Sequence, residues 1–308
     1  MPKKKTYDNV VISLIDPDKF IRNTIKTILL NNGFKEFIQG TTAQDVIEQL
    51  EGEPPDLLIA DSEITGGDFC ELVNEIRHNE VGTNPFMPII ATAWNPTSEL
   101  VKRVIDSGSD DLLPKPLSSG HLIARIEQLV QARKPFIVTS DYIGPDRRKL
   151  DPDRESEIPL LQVPNSLRVK VMGEDEGAIL QEEINQAIAD INIHKLERHS
   201  VQIEWLVVRI VPGLESSQLT EEINEHLDLL LYVAQDISRR LIGTNYEHIS
   251  ELCQSLTKVA TDICADRNNP SAKDIKLLNP LSQAIASTFD PDRDDAAAAR
   301  DIADIIGR

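Results

Sequence analysis

"PDLLIADSEITGGD", residues 55–68, is the stretch that decides the fold. Leu57, Leu58, Ile59 and Ala60 form an apolar run too short for a helix and without polar alternation. That pattern reads as a strand buried on both faces. The run ends on Asp61, and a loop carrying Gly66 and Gly67 follows. A carboxylate inside such a strand would lose its water without compensation. Asp61 therefore stands at the strand end, where water or a cation reaches it.

Working outward, the same kind of run recurs at "VVISLI" (10–15), "MPIIAT" (87–92) and "DLL" (111–113), with a weaker one at "EFIQG" (36–40). Between them lie helical periodicities: Phe20-Ile21, Ile25, Ile28-Leu29; Val46, Leu50; Phe69, Leu72, Val73, Ile76; Leu100, Val101, Val104, Ile105; and Leu122, Ile126, Leu129, Val130. Strand and helix alternate through five βα units, which predicts a parallel sheet covered by helices on both faces, the flavodoxin-like doubly wound arrangement. Gly33 and Gly108 suit helix stops. In such sheets ligands sit beyond the carboxyl ends of the strands. Those ends carry Asp16, Asp61, Thr92 with Ala93, and Lys115 before Pro116. Paired acids with nearby oxygens suit a hard divalent cation such as Mg²⁺. The lysine could hold an incoming phosphoryl oxygen.

The bulk numbers bound the rest. The 308 residues allow about two domains, and a hydrophobic content of 40% can fill real cores. A net charge of −19 and a pI near 4.7 argue against a nucleic-acid partner, which needs a concentrated positive surface. Cys70, Cys253 and Cys264 show no metal spacing and read as reduced thiols. No apolar run reaches the length of a membrane span, and "MPKKKTYDN" has no apolar core behind its charges. The default location is the cytoplasm.

Residues 8–133 resemble the receiver domain of two-component response regulators. The resemblance rests on Asp61 after the third strand, on the lysine–proline element in "LLPKPL" (Lys115-Pro116, a cis peptide in the family), and on the spacing from Asp16 to Asp61. It implies that Asp61 accepts a phosphoryl group from a histidine kinase or phosphotransfer protein. It also implies that Lys115 neutralises the new charge, and that Asp16, Asp61, Asp18 and the backbone carbonyl of Glu63 hold Mg²⁺. Two departures stand out. The family's second acid falls on Pro17, with Asp18 one step further along. Its small hydroxyl after the fourth strand falls on Ala93, with Thr92 one position early. A one-residue slip turns a side chain to the other face. Either the strand end is irregular and Thr92 serves, or the hydroxyl is missing. The reading rests on Asp16, Asp61 and Lys115 converging at one rim; groups far apart, or a salt link that seals the hollow shut, would end it.

Residues 134–166 are rich in proline and charge and read as an extended linker, with apolar residues that suggest packing. Arg147, Arg148 and Lys149 form a dense basic patch that could hold an anion, or pair with neighbouring acids. From about 175 the period becomes 3.5: Leu180, Ile184, Ala187, Ile191; Ile223 to Leu241; Ile249 to Ile263; Leu277-Leu278, Leu281, Ile285. These seams predict a helical bundle. "SVQIEWLVVRIVPGL" (200–214) is apolar on several sides, so it is a central helix or a subunit contact. Thr244 and Glu247 form a candidate capping box with Gly243 as helix stop, and the tail after 290 a candidate short helix. His194, His199, His226 and His248 are the candidates for a phosphotransfer histidine; none lies in a motif of that kind.

The expected organisation is thus a receiver over 1–133, a linker over 134–166 and an all-α bundle for output or dimerisation over 167–308, whose family the sequence does not disclose. The expected function is phosphorylation-dependent signalling through Asp61, with output by protein–protein contact and a possible homodimer through the helices. The chain would be no enzyme beyond catalysing its own phosphoryl transfer and dephosphorylation. The alternative is a pseudo-receiver scaffold with a degenerate site.

Overall fold

The computed structural model describes residues 5–148, 158–173, 177–242 and 244–289. Lys149 of the basic patch, the expected helix stop Gly243 and the tail from 290 lie outside the described residues. The chain divides into two compact units, Met1–Ile188 and Ala189–Arg308.

In the first unit the five βα pairs form as the periodicity predicts: β1 (Val11–Ile15), α1 (Lys19–Asn31), β2 (Glu36–Gly40), α2 (Ala43–Glu51), β3 (Leu57–Asp61), α3 (Phe69–Arg77), β4 (Ile89–Trp94), α4 (Ser98–Asp106), β5 (Asp111–Lys115) and α5 (Ser119–Ala132). All strands pair in parallel in the order β2-β1-β3-β4-β5. The alternation along β3 shows why the central run had to be wholly apolar. Leu57 and Ile59 pack with Ile25, Leu29, Leu122 and Ile126 of α1 and α5. Leu58 and Ala60 pack with Val46, Leu50, Phe69, Leu72 and Val104 of α2, α3 and α4. Gly33 and Gly108 adopt φ of 95° and 93° after α1 and α4, the left-handed stops expected. Thr42 caps α2 in a capping box with Asp45.

The stretch from 134 departs from an extended linker. Phe136–Val138 (β6) and Ile143–Pro145 (β7) form an antiparallel hairpin, Leu161 bridges back to Phe136, and α6 (Ser166–Met172) packs on α5. Leu167 and Val171 enter the core of the α1/α5 face. The boundary between compact units accordingly falls at Ile188, not near 166.

What fixes this extension is one buried carboxylate. Asp110 accepts a two-pronged contact from Arg133 (2.7 and 2.9 Å), 3.0 Å from Arg77, and 2.9 Å from the Ile89 amide. Arg77, wholly buried, also donates to the carbonyls of Gly108 (2.9 Å) and Met87 (2.8 Å). Both guanidinium groups lie against the Phe136 ring, 5.3 and 5.0 Å from its centre. Arg147 donates to the carbonyls of Ser109 (2.7 Å) and Asp110 (2.5 Å), and Arg148 pairs with Asp146 at 2.9 Å. Of the two readings of the basic patch, pairing with a neighbouring acid holds for Arg148, while Arg147 is taken up by backbone carbonyls and pins the hairpin.

The second unit holds the C-terminal part of α7 (Gly177–Glu215), with α8 (Glu221–Arg240), α9 (Ser250–Ala265) and α10 (Ala272–Thr288). The seams at 180–191 and 200–214 thus belong to one helix of 39 residues. Its core takes Leu196, Ile203, Leu206 and Ile210 of α7 with the predicted seams of α8, α9 and α10. The capping box at Thr244 does not form. The Thr244 hydroxyl donates back to Leu241 (2.7 Å), and a short 3₁₀ turn at Glu247–Ile249 has no side-chain cap. All three cysteines are free, and burial pushes the Cys253 thiol up to about 12. Among the described residues no helix is long and apolar enough to cross a membrane.

Desolvation is the largest influence on Asp110 and pushes its pKa up, yet Arg133 and Arg77 together hold the carboxyl below its ordinary value. A depressed carboxylate stabilises the fold above its unfolded value, about 3.9, and that share is lost as pH falls through the folded value. Asp110→Ala leaves two buried guanidinium groups uncompensated and should destabilise the first unit by about 3–5 kcal/mol in urea unfolding at pH 7. Asp110→Asn should flatten the loss of stability below pH about 4; an unchanged acid limb would contradict this role.

Candidate functional site

The parallel register brings three strand ends to one rim. β1 ends before Asp16, β3 ends on Asp61 and β5 ends on Lys115, whose peptide to Pro116 is cis. All three side chains are buried. Lys115 Nζ donates to Asp16 Oδ2 at 2.5 Å and to Asp61 Oδ2 at 2.7 Å. Three residues far apart in sequence thus converge as predicted, and a salt link joins them. The Asp61 side chain keeps 10% of its exposure, against 1% for Lys115 and 3% for Asp16. So the hollow is nearly closed, and the residue still open to solvent is the acid at its mouth. Asp61 Oδ1 also accepts the Glu63 amide at 3.2 Å, which holds the carboxylate across the strand end.

The remaining expected residues fall elsewhere. Asp18 caps α1, accepting the Phe20 amide at 2.7 Å from an exposed position. Its own amide donates to Asp16 Oδ1 at 2.8 Å. It positions Asp16 through the backbone, and one of its carboxylate oxygens caps the helix. β4 pairs regularly through Trp94 opposite Lys115. Thr92 is buried within that regular strand, and its hydroxyl donates to the Ala60 carbonyl at 3.3 Å. Of the two alternatives at this strand end, the missing hydroxyl is the one the geometry favours. Trp94, half-exposed, sets its ring 5.9 Å from Lys115 Nζ.

Two groups at the site escaped the sequence reading. Arg22 donates to the carbonyls of Asp16 and, at 3.4 Å, Pro17. It lies four residues after the Asp18 cap, and helical side chains lean back over the preceding turn, which is the signal that could have found it. Ser62 carries a buried hydroxyl without a hydrogen-bond partner, directly after Asp61.

The candidate phosphotransfer histidines sort by exposure. His199 is wholly buried, its Nε2 2.8 Å from Asp236 Oδ2 and its Nδ1 3.3 Å from Gln202. Both nitrogens are engaged, so neither is open to a phosphoryl group. His226 stands edge-on to Trp205 with ring centres 5.2 Å apart, His194 pairs with Glu197 at 3.4 Å, and His248 contacts the Asn245 carbonyl at 3.2 Å.

Chemically, the rim presents a carboxylate nucleophile with a lysine ammonium in contact. Among the described residues no group of three or more His, Cys, Asp or Glu side chains could hold a metal. Two carboxylates, Asp16 and Asp61, converge on one cationic centre.

Residues 12–127 match the family described as the response regulator receiver domain. The response regulator MprA of Mycobacterium tuberculosis is 32% identical over 130 residues, which are 41% of this chain and 53% of that protein. The protein of the same name from Mycobacterium leprae is 33% identical over 128 residues, 40% and 52% of the two chains. The chain thus spans about half the length of the curated relatives it matches. Among solved structures, a CheY-like receiver domain from Methanospirillum hungatei aligns with 23% identity over 39% of this chain and 91% of that one, at a TM-score of 0.35. The receiver domain of a sensor histidine kinase from Pseudomonas aeruginosa, described with a magnesium ion coordinated in its active-site cleft, aligns with 24% identity over 39% and 94%, at 0.34. The N-terminal βα segment is a response regulator receiver domain.

If Asp18 is a cap and not a cation ligand, Asp18→Ala should lower stability by about 1 kcal/mol. It should leave any Mg²⁺-dependent change in Trp94 fluorescence at the same midpoint. A midpoint raised tenfold would return Asp18 to the ligand set.

Proposed function

We propose that this protein is a phosphorylation-dependent signalling protein in which Asp61 accepts a phosphoryl group and the helical unit delivers the output by protein contact. The observation that carries the reading is the convergence of Asp16, Asp61 and Lys115, from three strand ends, on one rim. A phosphohistidine of a kinase or phosphotransfer protein is the donor class that fits. Asp61 Oδ2 attacks phosphorus, the P–N bond breaks, and the freed imidazole nitrogen takes a proton from water. Lys115 leaves Asp61 and turns to a phosphoryl oxygen, so the ammonium that now neutralises the carboxylate neutralises the acyl phosphate. Asp18 and Arg22 hold the Asp16 turn in place from its amide and carbonyl sides.

The two carboxylates suit a hard cation, which is often bound by one or two carboxylates and water. Asp16, Asp61 and the Glu63 carbonyl would hold Mg²⁺. Bound there, it would offset charge on the transferring group. With Pro17 in place of an acid and Arg22 beside Asp16, its affinity should be modest. Chemistry beyond the chain's own phosphorylation and dephosphorylation is not part of this reading, and the net charge of −19 speaks against a nucleic-acid output.

A second reading, a pseudo-receiver scaffold, draws on three particular observations: Pro17 at the second acid, the committed Thr92 hydroxyl, and the closed link at Lys115. One experiment separates the two. The full chain carrying Trp205→Phe leaves Trp94 as its single tryptophan. Beryllofluoride with Mg²⁺ should change its fluorescence, and acetyl phosphate should add the mass of one phosphoryl group, both abolished by Asp61→Asn. Silence in both assays selects the scaffold.

The output surface we favour lies on α7. Val201, Trp205 and Val208 are 67%, 45% and 61% exposed at a 4-3 heptad step. Glu204 and Arg209 flank this stripe five residues apart, the spacing at which parallel paired helices match opposite charges across the seam. The Arg209 guanidinium lies over Trp205 at 3.6 Å, stiffening the ring. The occupant this pattern fits is a second copy of the chain. Light scattering should give twice the chain mass at micromolar concentration, and Trp205→Glu should give a folded monomer. A monomeric parent chain would refute the pairing.

A further inference from the structure

The receiver's extension builds a hollow that the phosphorylation reading does not use. It lies between the end of α5, the segment around 162–163, and α6, with a cavity volume of about 340 Å³. Small-molecule sites run from about 300 to 1,000 Å³. Arg133, Lys134 and Arg168 line it, and among the described residues no carboxylate does. In a chain with 51 Asp and Glu against 32 Lys and Arg, a described lining with three cations and no acid runs against the average.

The three cations are not equivalent. Arg133 is occupied by Asp110 and the Phe86 carbonyl. The side chains of Lys134 and Arg168 make no hydrogen bond or ion pair among the described residues; Lys134 acts on Asp146 only at longer range. Several other basic side chains of the first unit do find partners, as Lys35 does with Asp8, Arg103 with Asp68, and Lys170 with Asp56.

The walls are fixed. The Asn165 amide donates to the Leu129 carbonyl at 2.8 Å, Thr6 donates to the Val171 carbonyl at 3.0 Å, and Leu167 and Val171 sit in the core. Beside the cations the lining offers valine surface, from Val130, Val163 and Val169, and the side-chain amides of Gln131 and Gln162. A lining of cations, valines and side-chain amides suits a molecule with an anionic end and a flat, hydrogen-bonding body.

We propose that this hollow binds a small phosphate ester of mononucleotide size. Arg168 forks onto phosphate oxygens and Lys134 adds a point charge. The base lies against the valines, its edge met by Gln131 and Gln162. Such a ligand would bridge α5 and α6 and stabilise the extension in proportion to its occupancy.

The test is a titration of the full chain with a fluorescent methylanthraniloyl ADP, followed by competition with unlabelled ADP, AMP and inorganic phosphate. The expected result is saturable binding that weakens with added salt. Lys134→Glu and Arg168→Glu should each lower affinity about tenfold or more, and Asp61→Asn should leave it unchanged. Both cations are exposed, so thermal melting should show the variants folded; Val163→Trp, which fills the hollow from an uncharged position, gives an independent loss of binding. Absence of saturable binding at millimolar ligand overturns the proposal. So does a double charge reversal that binds like the parent chain, or competition by inorganic phosphate as strong as that by ADP.

Discussion

The receiver's rim depends on one ammonium group between two carboxylates. Two like charges repel by roughly 4 kcal/mol at about 4 Å and the effective dielectric of a protein, so two carboxylates buried at one rim call for a counter-charge. Lys115 supplies it from a third strand. Its reach is set by the register that pairs Trp94 with Lys115 and Asp61 with Thr92. The apolar strands serve this arrangement, because a sheet buried on both faces cannot slip without turning its core residues to the wrong side. In the proposed phosphorylation this link is what the incoming phosphoryl group would compete with, exchanging one partner of Lys115 for another at Asp61, the most open of the three.

β5 carries a second charged cluster at its other end. Asp110 precedes the strand and Lys115 ends it, roughly 16 Å away along an extended chain. The proportions are reversed. At the rim two acids share one cation and solvent reaches one acid; below the sheet one acid is held by two arginines and sealed. A sealed pair with every oxygen bonded is costly to break and has no access for a reactant. It therefore suits attachment, and what it attaches is the hairpin of β6 and β7. Gly108 shows how close the attachment is: a Cβ there would lie 2.6 Å from the Ile143 carbonyl, so the backbone of the hairpin rests on that of the receiver.

The five strands were legible because burial on both faces leaves an unbroken apolar signature. The rim acids were legible because a charge closing such a run must be met by water or a counter-ion. What stayed hidden shares a cause. The hairpin strands have three residues each, too few for a period to show. Arg77 ends α3 and reads as a last-turn surface cation, yet it is wholly buried because its partner lies 33 residues away. For Arg147 and Arg148 the sequence left two readings open, an anion site or pairing with acids, and the carbonyls that Arg147 meets leave no mark in sequence. Asp18 has the right side chain for a cation ligand, and one of its oxygens also caps α1, a local role that the expected ligand set did not include.

In the helical unit, polar residues do what the seams cannot. A repeated apolar seam tolerates a slip of one heptad between neighbours, because each leucine meets another. Asp236 does not tolerate it. Its carboxylate takes His199 and Arg240 at 2.8 Å and Arg239 at 2.6 Å, and Arg240 reaches Asn192 of α7 at 2.8 Å. Desolvation pushes Asp236 up, but its bond from His199 and the Arg240 charge hold it far below the ordinary carboxylate range. A shift of α7 along α8 by one heptad would part His199 from Asp236 and Asn192 from Arg240, while Asp236 would keep Arg239 and Arg240 of its own helix. The cost falls on the buried imidazole, which would lose its carboxylate partner. These cross-helix bonds thereby favour a single axial register, which the apolar seams alone would leave open.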